Sequence, residues 1–142
     1  ITSTLLIDWT AVTITNSSAT AKTYTLLGNT MTKNSVLRVT VFVSANTASG
    51  LRVNWGGNDL NSGGFSTNGT GIQNYTLEIH NSNSLTSHVY TKTNIIGGGE
   101  LPIVAKNTDN SANTAGNVTL KIYDPSGVGV YTVEGWSIEL LR

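Results

Sequence analysis

The sequence predicts an all-β chain: an antiparallel β-sandwich of jelly-roll type, with nine or ten strands in a single domain over residues 1–142. Three observations predict it. Apolar residues recur at every second position in run after run, the period of a half-buried strand. Clusters of Gly, Asn, Asp and Ser punctuate these runs at intervals of roughly 8 to 15 residues, as in sandwiches and barrels. No stretch carries the period of an amphipathic helix.

Taken in order, Thr4 to Trp9 and Ala11 to Thr15 read as short strands, and Asn16 to Ala21 as a polar turn. Lys22 to Leu27 alternates, with Tyr24 and Leu26 inward, and Gly28-Asn29 breaks it. In Ser35 to Ser44, Leu37, Val39, Val41 and Val43 share one face, while Phe42 is the large apolar side chain on the other. After a turn at Asn46 to Gly50, Leu51, Val53 and Trp55 resume inward, so this pair of runs reads as a hairpin. Gly56 to Gly71 holds six glycines in sixteen residues and reads as a long exposed loop. Tyr75, Leu77 and Ile79 then face inward, and Asn81 to Ser84 turns the chain into a run from Leu85 to Ile96 centred on Val89. Glu100 to Ala105 is a short strand weakened by Pro102, and Lys106 to Gly116 a second polar loop.

The chain ends on a strand with Val118, Leu120 and Ile122 inward, a type I turn at Asp124-Pro125-Ser126-Gly127, and a return run from Val128 to Leu141. In that return run Tyr131 and Val133 have one parity and Trp136, Ile138 and Leu140 the other. A β-bulge at Gly135 puts both sets on one face and spares Glu134 from burial. The terminal pair reads as a hairpin that closes the domain, with Trp9 and Trp136 in or beside the core.

Formal net charge is zero and charged residues are 11% of the chain, against about 25% in an average soluble protein. A duplex or an anionic surface calls for a basic stripe, so neither a nucleic-acid partner nor membrane insertion is expected. No apolar run approaches the ~18 residues of a membrane span. The polar surface rests on 22 Thr, 14 Ser and 16 Asn, uncharged groups suited to sugar contact and to exposed strand faces. Without cysteine the chain has neither a disulfide nor a thiolate metal site, and the redox compartment stays open. A strand-like start at Thr4 after Ile1 predicts a fragment of a longer polypeptide or a processed product.

The inventory for catalysis is thin, and the expectation is a non-enzymatic domain without a cofactor. His80 and His88 fall on neighbouring predicted strands, where they would meet across a hairpin and hold a metal with Glu78, or simply face solvent. Calcium has two candidate loops. Asp59-Leu60-Asn61-Ser62-Gly63-Gly64 has the ligand spacing and sixth-position glycine, but Thr70 at the twelfth; Asn107, Asp109, Ser111 and Asn113 share the spacing without the glycine. Both also fit Asx turns. The carboxylates are scattered, and the four N-x-S/T sites, at Asn16, Asn68, Asn74 and Asn117, match what this composition yields by chance.

The ligand-binding candidates are Trp55, Asn58, Asp59, Asn61 and Phe65. Sugar C–H faces stack on indole while hydroxyls seek Asn and Asp partners. The competing reading of Trp55 is that it continues the inward phase of Leu51 and Val53 and plugs the end of the sandwich. Phe42 and Tyr123, as outward aromatics, fit a subunit interface equally well.

The run Leu51-Arg52-Val53-Asn54-Trp55-Gly56-Gly57 after a valine-rich strand, and the ending Asn117 to Tyr123 with Tyr131 to Leu140, resemble bacteriophage virion domains of tail fibres, tailspikes or capsid decoration. The resemblance is one of composition and style, with no diagnostic motif and no catalytic residue. It implies a jelly-roll-like extracellular virion domain, commonly homotrimeric, that binds host cell-surface carbohydrate. The alternatives are a structural virion domain for trimerisation or capsid decoration, and a carbohydrate-binding module of a polysaccharide-degrading enzyme.

Overall fold

The computed structural model describes residues 1–15, 19–44, 51–60, 71–94, 103–109, 112–125 and 130–142. Its strands are β1 (Thr2–Asp8), β2 (Val12–Thr15), β3 (Ala19–Leu26), β4 (Val36–Ser44), β5 (Arg52–Trp55), β6 (Asn58–Asp59), β7 (Ile72–Asn81), β8 (His88–Asn94), β9 (Ile103–Asp109), β10 (Val118–Asp124) and β11 (Val130–Leu141). Every pairing is antiparallel. One sheet runs β1-β11-β4-β7-β8-β9, with β2 also on β11, and the other runs β3-β10-β5-β6. With β8 and β9 set aside as an extension of the larger sheet, the orders β2-β11-β4-β7 and β3-β10-β5-β6 are the doubled Greek key of a jelly roll. The chain is therefore an all-β antiparallel sandwich.

Its core lies where the alternation placed it. Leu37, Val39, Val41 and Val43 of β4, Tyr75, Leu77 and Ile79 of β7, and Val53 and Trp55 of β5 are buried between the sheets. In β11 the ladder to β4 slips between Val133 and Gly135. This is the predicted bulge, and Tyr131, Val133, Trp136, Ile138 and Leu140 are all buried on one face. Glu134 stays half-buried and accepts a bond from Ser44 Oγ at 2.6 Å.

The hairpin that joins His80 to His88 forms, as β7 and β8, but the other two predicted hairpins do not. β4 and β5 lie in opposite sheets, as do β10 and β11. Alternation defines which side of a run is buried but not the strand that it bonds to, and strands facing each other across a core carry the same pattern as a hairpin. Residues 126 and 127 of the predicted type I turn, and the first two residues of the return run, lie outside the described residues. The polar run after Ala105, expected as loop, continues β9 to Asp109 because pairing with β8 satisfies its backbone. The phase of β8 is also reversed: His88 and Tyr90 are buried and Val89 is half-buried. A polar residue takes the inward position there because its ring nitrogens find partners inside.

One edge of the larger sheet is shared by two short strands. β1 pairs with Trp136–Leu141 and β2 with Val130–Val133, so the two are halves of one edge strand. The halves part opposite the β11 bulge. Trp136 is buried, but Trp9, expected in or beside the core, swings outside and is 57% exposed. Asp8, just before it, is fixed by Lys22 of the other sheet, whose Nζ donates to Asp8 Oδ2 at 2.9 Å and to Thr10 O. That ion pair clasps the two sheets at their open edge.

Candidate functional site

The predicted site separates. Trp55 is fully buried, its indole edge-on to His88 with ring centroids 5.7 Å apart. It presents no face to a ligand, so its assignment as a stacking residue is corrected. It follows the inward phase of Leu51 and Val53, and desolvation of its large apolar surface holds it there. Asn58 and Asp59 are exposed on β6. Asp59 Oδ1 accepts bonds from Asn54 Nδ2 at 2.8 Å and from Tyr123 Oη at 2.7 Å, while Asn54 Oδ1 accepts from Gly57 N–H at 3.1 Å. This network braces the tight corner at Gly56 and Gly57, whose φ values of 57° and 98° favour glycine. The bond to Asp59 raises the Tyr123 phenol above its ordinary range, with desolvation adding to it, and Lys121 Nζ lies 4.3 Å from the Tyr123 ring centroid. Asn61 and Phe65 lie outside the described residues, as does most of the first calcium loop.

The two histidines point to opposite faces. β7 and β8 pair with Asn81 opposite His88 and His80 opposite Val89. His80 is on the outer face, 3.3 Å from Glu78 Oε1. His88 is buried, with Nδ1 at 2.6 Å from Asn81 Oδ1 and Nε2 at 3.2 Å from Ala112 O. Strand parity forbids the shared site. Among the described residues no group of three His, Cys, Asp or Glu side chains is placed to hold a metal.

Several carboxylates have structural partners. Glu78 Oε2 receives Arg38 at 2.9 Å. Asp124, read from the sequence as a turn residue, is fully buried and accepts a 2.6 Å bond from Tyr131 Oη. Burial first, and then that bond, pushes the Tyr131 phenol well above its usual range. Asp8 is held down at about 2 by the Thr10 N–H bond and then by Lys22.

The outer face of the larger sheet brings together groups that the sequence did not. The Trp9 six-membered ring lies over Gly135, where a Cβ would come within 2.8 Å of Cε3. Its centroid is 4.6 Å from that of Phe42, with the planes at 36°. The bulge that rescues the core phase thus also makes a seat for an indole whose remaining surface meets solvent. Ile7 and Ile72, 64% and 52% exposed, share this face by register. Next to the aromatic pair runs a row of hydroxyls, Ser137, Thr40 and Thr76, in register across β11, β4 and β7. Asn74 lies opposite Phe42, and its buried Oδ1 has no partner among the described residues. Phe42 was legible as outward. Trp9 was not, although its parity with Ile7, outside the buried phase of the edge strand, was the available signal.

No protein-family model matches the chain, and no curated protein matches it. Among solved structures, the chain is similar to one described as a GH43 glycoside hydrolase engineered to display endo-xylanase and exo-arabinofuranosidase activity. The identity is 12% and the TM-score 0.38, over 80% of this chain and 34% of the other, so this chain spans about a third of that protein's length. A likeness at that level bears on neither ancestry nor activity.

Proposed function

We propose that this chain is a non-enzymatic carbohydrate-recognition domain of a virion appendage, contacting host cell-surface glycan through the outer face of its larger sheet. The carrying observation is Trp9, an indole seated on Gly135, backed by Phe42 and 57% exposed. A rigid aromatic shelf beside hydroxyl and carboxamide groups offers a sugar ring both stacking and hydrogen bonds. The weak charge of the chain fits a neutral ligand. The virion setting rests on the compositional resemblance, and trimeric display would raise the avidity of a weak single site by roughly 10²–10⁴.

A structural reading has its own support, since Ile7, Trp9 and Ile72 leave the same face partly apolar. One variant separates the two. Trp9→Ala, with its fold confirmed, is compared with wild type on a bacterial and plant polysaccharide array and by solution mass. Loss of selective binding at unchanged mass supports recognition, and selectivity for plant polymers alone would redirect it to a module of a degrading enzyme. A wild type that is silent on the array and a trimer that dissociates on substitution would overturn recognition in favour of the structural role.

A further inference from the structure

A cleft of about 530 Å³ opens at the corner between β5 and β6, away from the Trp9 face. Gly57, Ala112, Asn113, Gly116, Asn117 and Val118 line it. Its walls are fixed by the fold. Gly56 N–H donates to Thr119 O at 3.0 Å, and a Cβ on Gly56 would come within 2.9 Å of Ala112 Cβ. The opposite wall is a turn in which Asn113 accepts from Gly116 N–H and, through Oδ1, from Ala115 N–H, both at 3.0 Å. Asn117 Oδ1 accepts from Gly28 N–H at 2.9 Å.

These bonds use the carboxamide oxygens and set the side chains in place. Among the described residues the Nδ2 atoms of Asn113 and Asn117 have no partner. The buried side chains of Ala112 and Val118 add a small apolar wall, and among the described residues no charged side chain lines the cleft. A Cβ on Gly57 would meet nothing within 4 Å, so the space is open to solvent.

We propose that this cleft binds an uncharged N-acetylated sugar residue. The acetamido methyl lies against Ala112 and Val118, and the ligand's carbonyl and hydroxyl oxygens accept from Asn113 and Asn117 Nδ2. The volume falls in the range of small-ligand sites, roughly 300–1,000 Å³. Fixed amide donors beside a methyl-sized apolar wall match an acetamido group, and a hydroxyl at the same sugar position leaves that wall unfilled. Without a cation in the lining, an acidic sugar gains no charge pairing.

The test titrates ¹⁵N-labelled protein with methyl N-acetyl-β-glucosaminide and with methyl β-glucoside, followed by amide NMR. The first is expected to give saturable shifts at Gly57 and Ala112–Thr119, with a Kd of about 1–10 mM, and the second none. Gly116→Leu adds bulk to the lining at a position where a Cβ meets only Asn113 O at 3.7 Å; it should abolish those shifts and leave other signals in place. Asn117→Asp keeps the acceptor for Gly28, removes a donor, and should weaken binding roughly fivefold. Absence of shifts up to about 100 mM sugar, equal shifts from the glucoside, or shifts that survive Gly116→Leu would overturn the assignment. The Trp9 indole N–H signal reports the outer face separately, so either site can fail without the other.

Discussion

Replacing Gly135 with Ala tests the seat of Trp9 directly. An ideal Cβ at this position would lie 2.6 Å from Asp8 O, 2.8 Å from Trp9 Cε3 and 3.1 Å from Trp9 Cδ2. Non-bonded contacts settle at about 3.5–4.0 Å, so the edge strand and the indole must both retreat by roughly 1 Å. Overpacking of this kind costs about 1–3 kcal/mol, which lowers the Tm of a chain this size by roughly 3–9 °C. Trp9→Ala removes two of the three close approaches and leaves the one to Asp8 O. In that background the Gly135→Ala cost should shrink by about 0.5–2 kcal/mol, the coupling expected of residues in contact. Urea unfolding of wild type, the two single variants and the double variant measures it. Costs that add within about 0.3–0.5 kcal/mol, or a Gly135→Ala protein as stable as wild type, would refute the view that the bulge exists partly to carry Trp9.

Two other consequences are open to measurement. Tyr131→Phe deprives the buried Asp124 carboxylate of its 2.6 Å donor and should cost about 1.5–3 kcal/mol in urea unfolding; a loss below about 0.5 kcal/mol would show that the bond contributes little. The Asp8 clasp gives an acid-sensitive edge: its pKa is lowered from 3.8 to about 2, so its stabilisation is full above pH 3.8 and lost as pH falls toward 2. Asp8→Asn should flatten thermal stability across that window, and an unchanged acid dependence in the variant would mean that other carboxylates govern it.

The buried and exposed faces of β4, β5, β7 and β11 were legible because a strand turns its side chains through a fixed period of two, and desolvation selects the apolar set. That logic even located the bulge at Gly135, since two apolar sets of opposite parity reach one core only through an extra residue. It also left open whether Trp55 was ligand or core, and the structure decides for core. What the sequence by itself determined about this protein is therefore its class, the membership of its core and the weak charge of its surface, each carried by local periodicity or by composition. Which strands bond was decided only by the tertiary structure, because facing and neighbouring strands share a phase. The Trp9 shelf, the cleft beside Asn117 and the Lys22–Asp8 clasp were decided there too. The first two depend on backbone segments far apart in sequence, Trp9 on Gly135 and Gly28 on Asn117, and the clasp joins strands of different sheets; no local pattern encodes any of them.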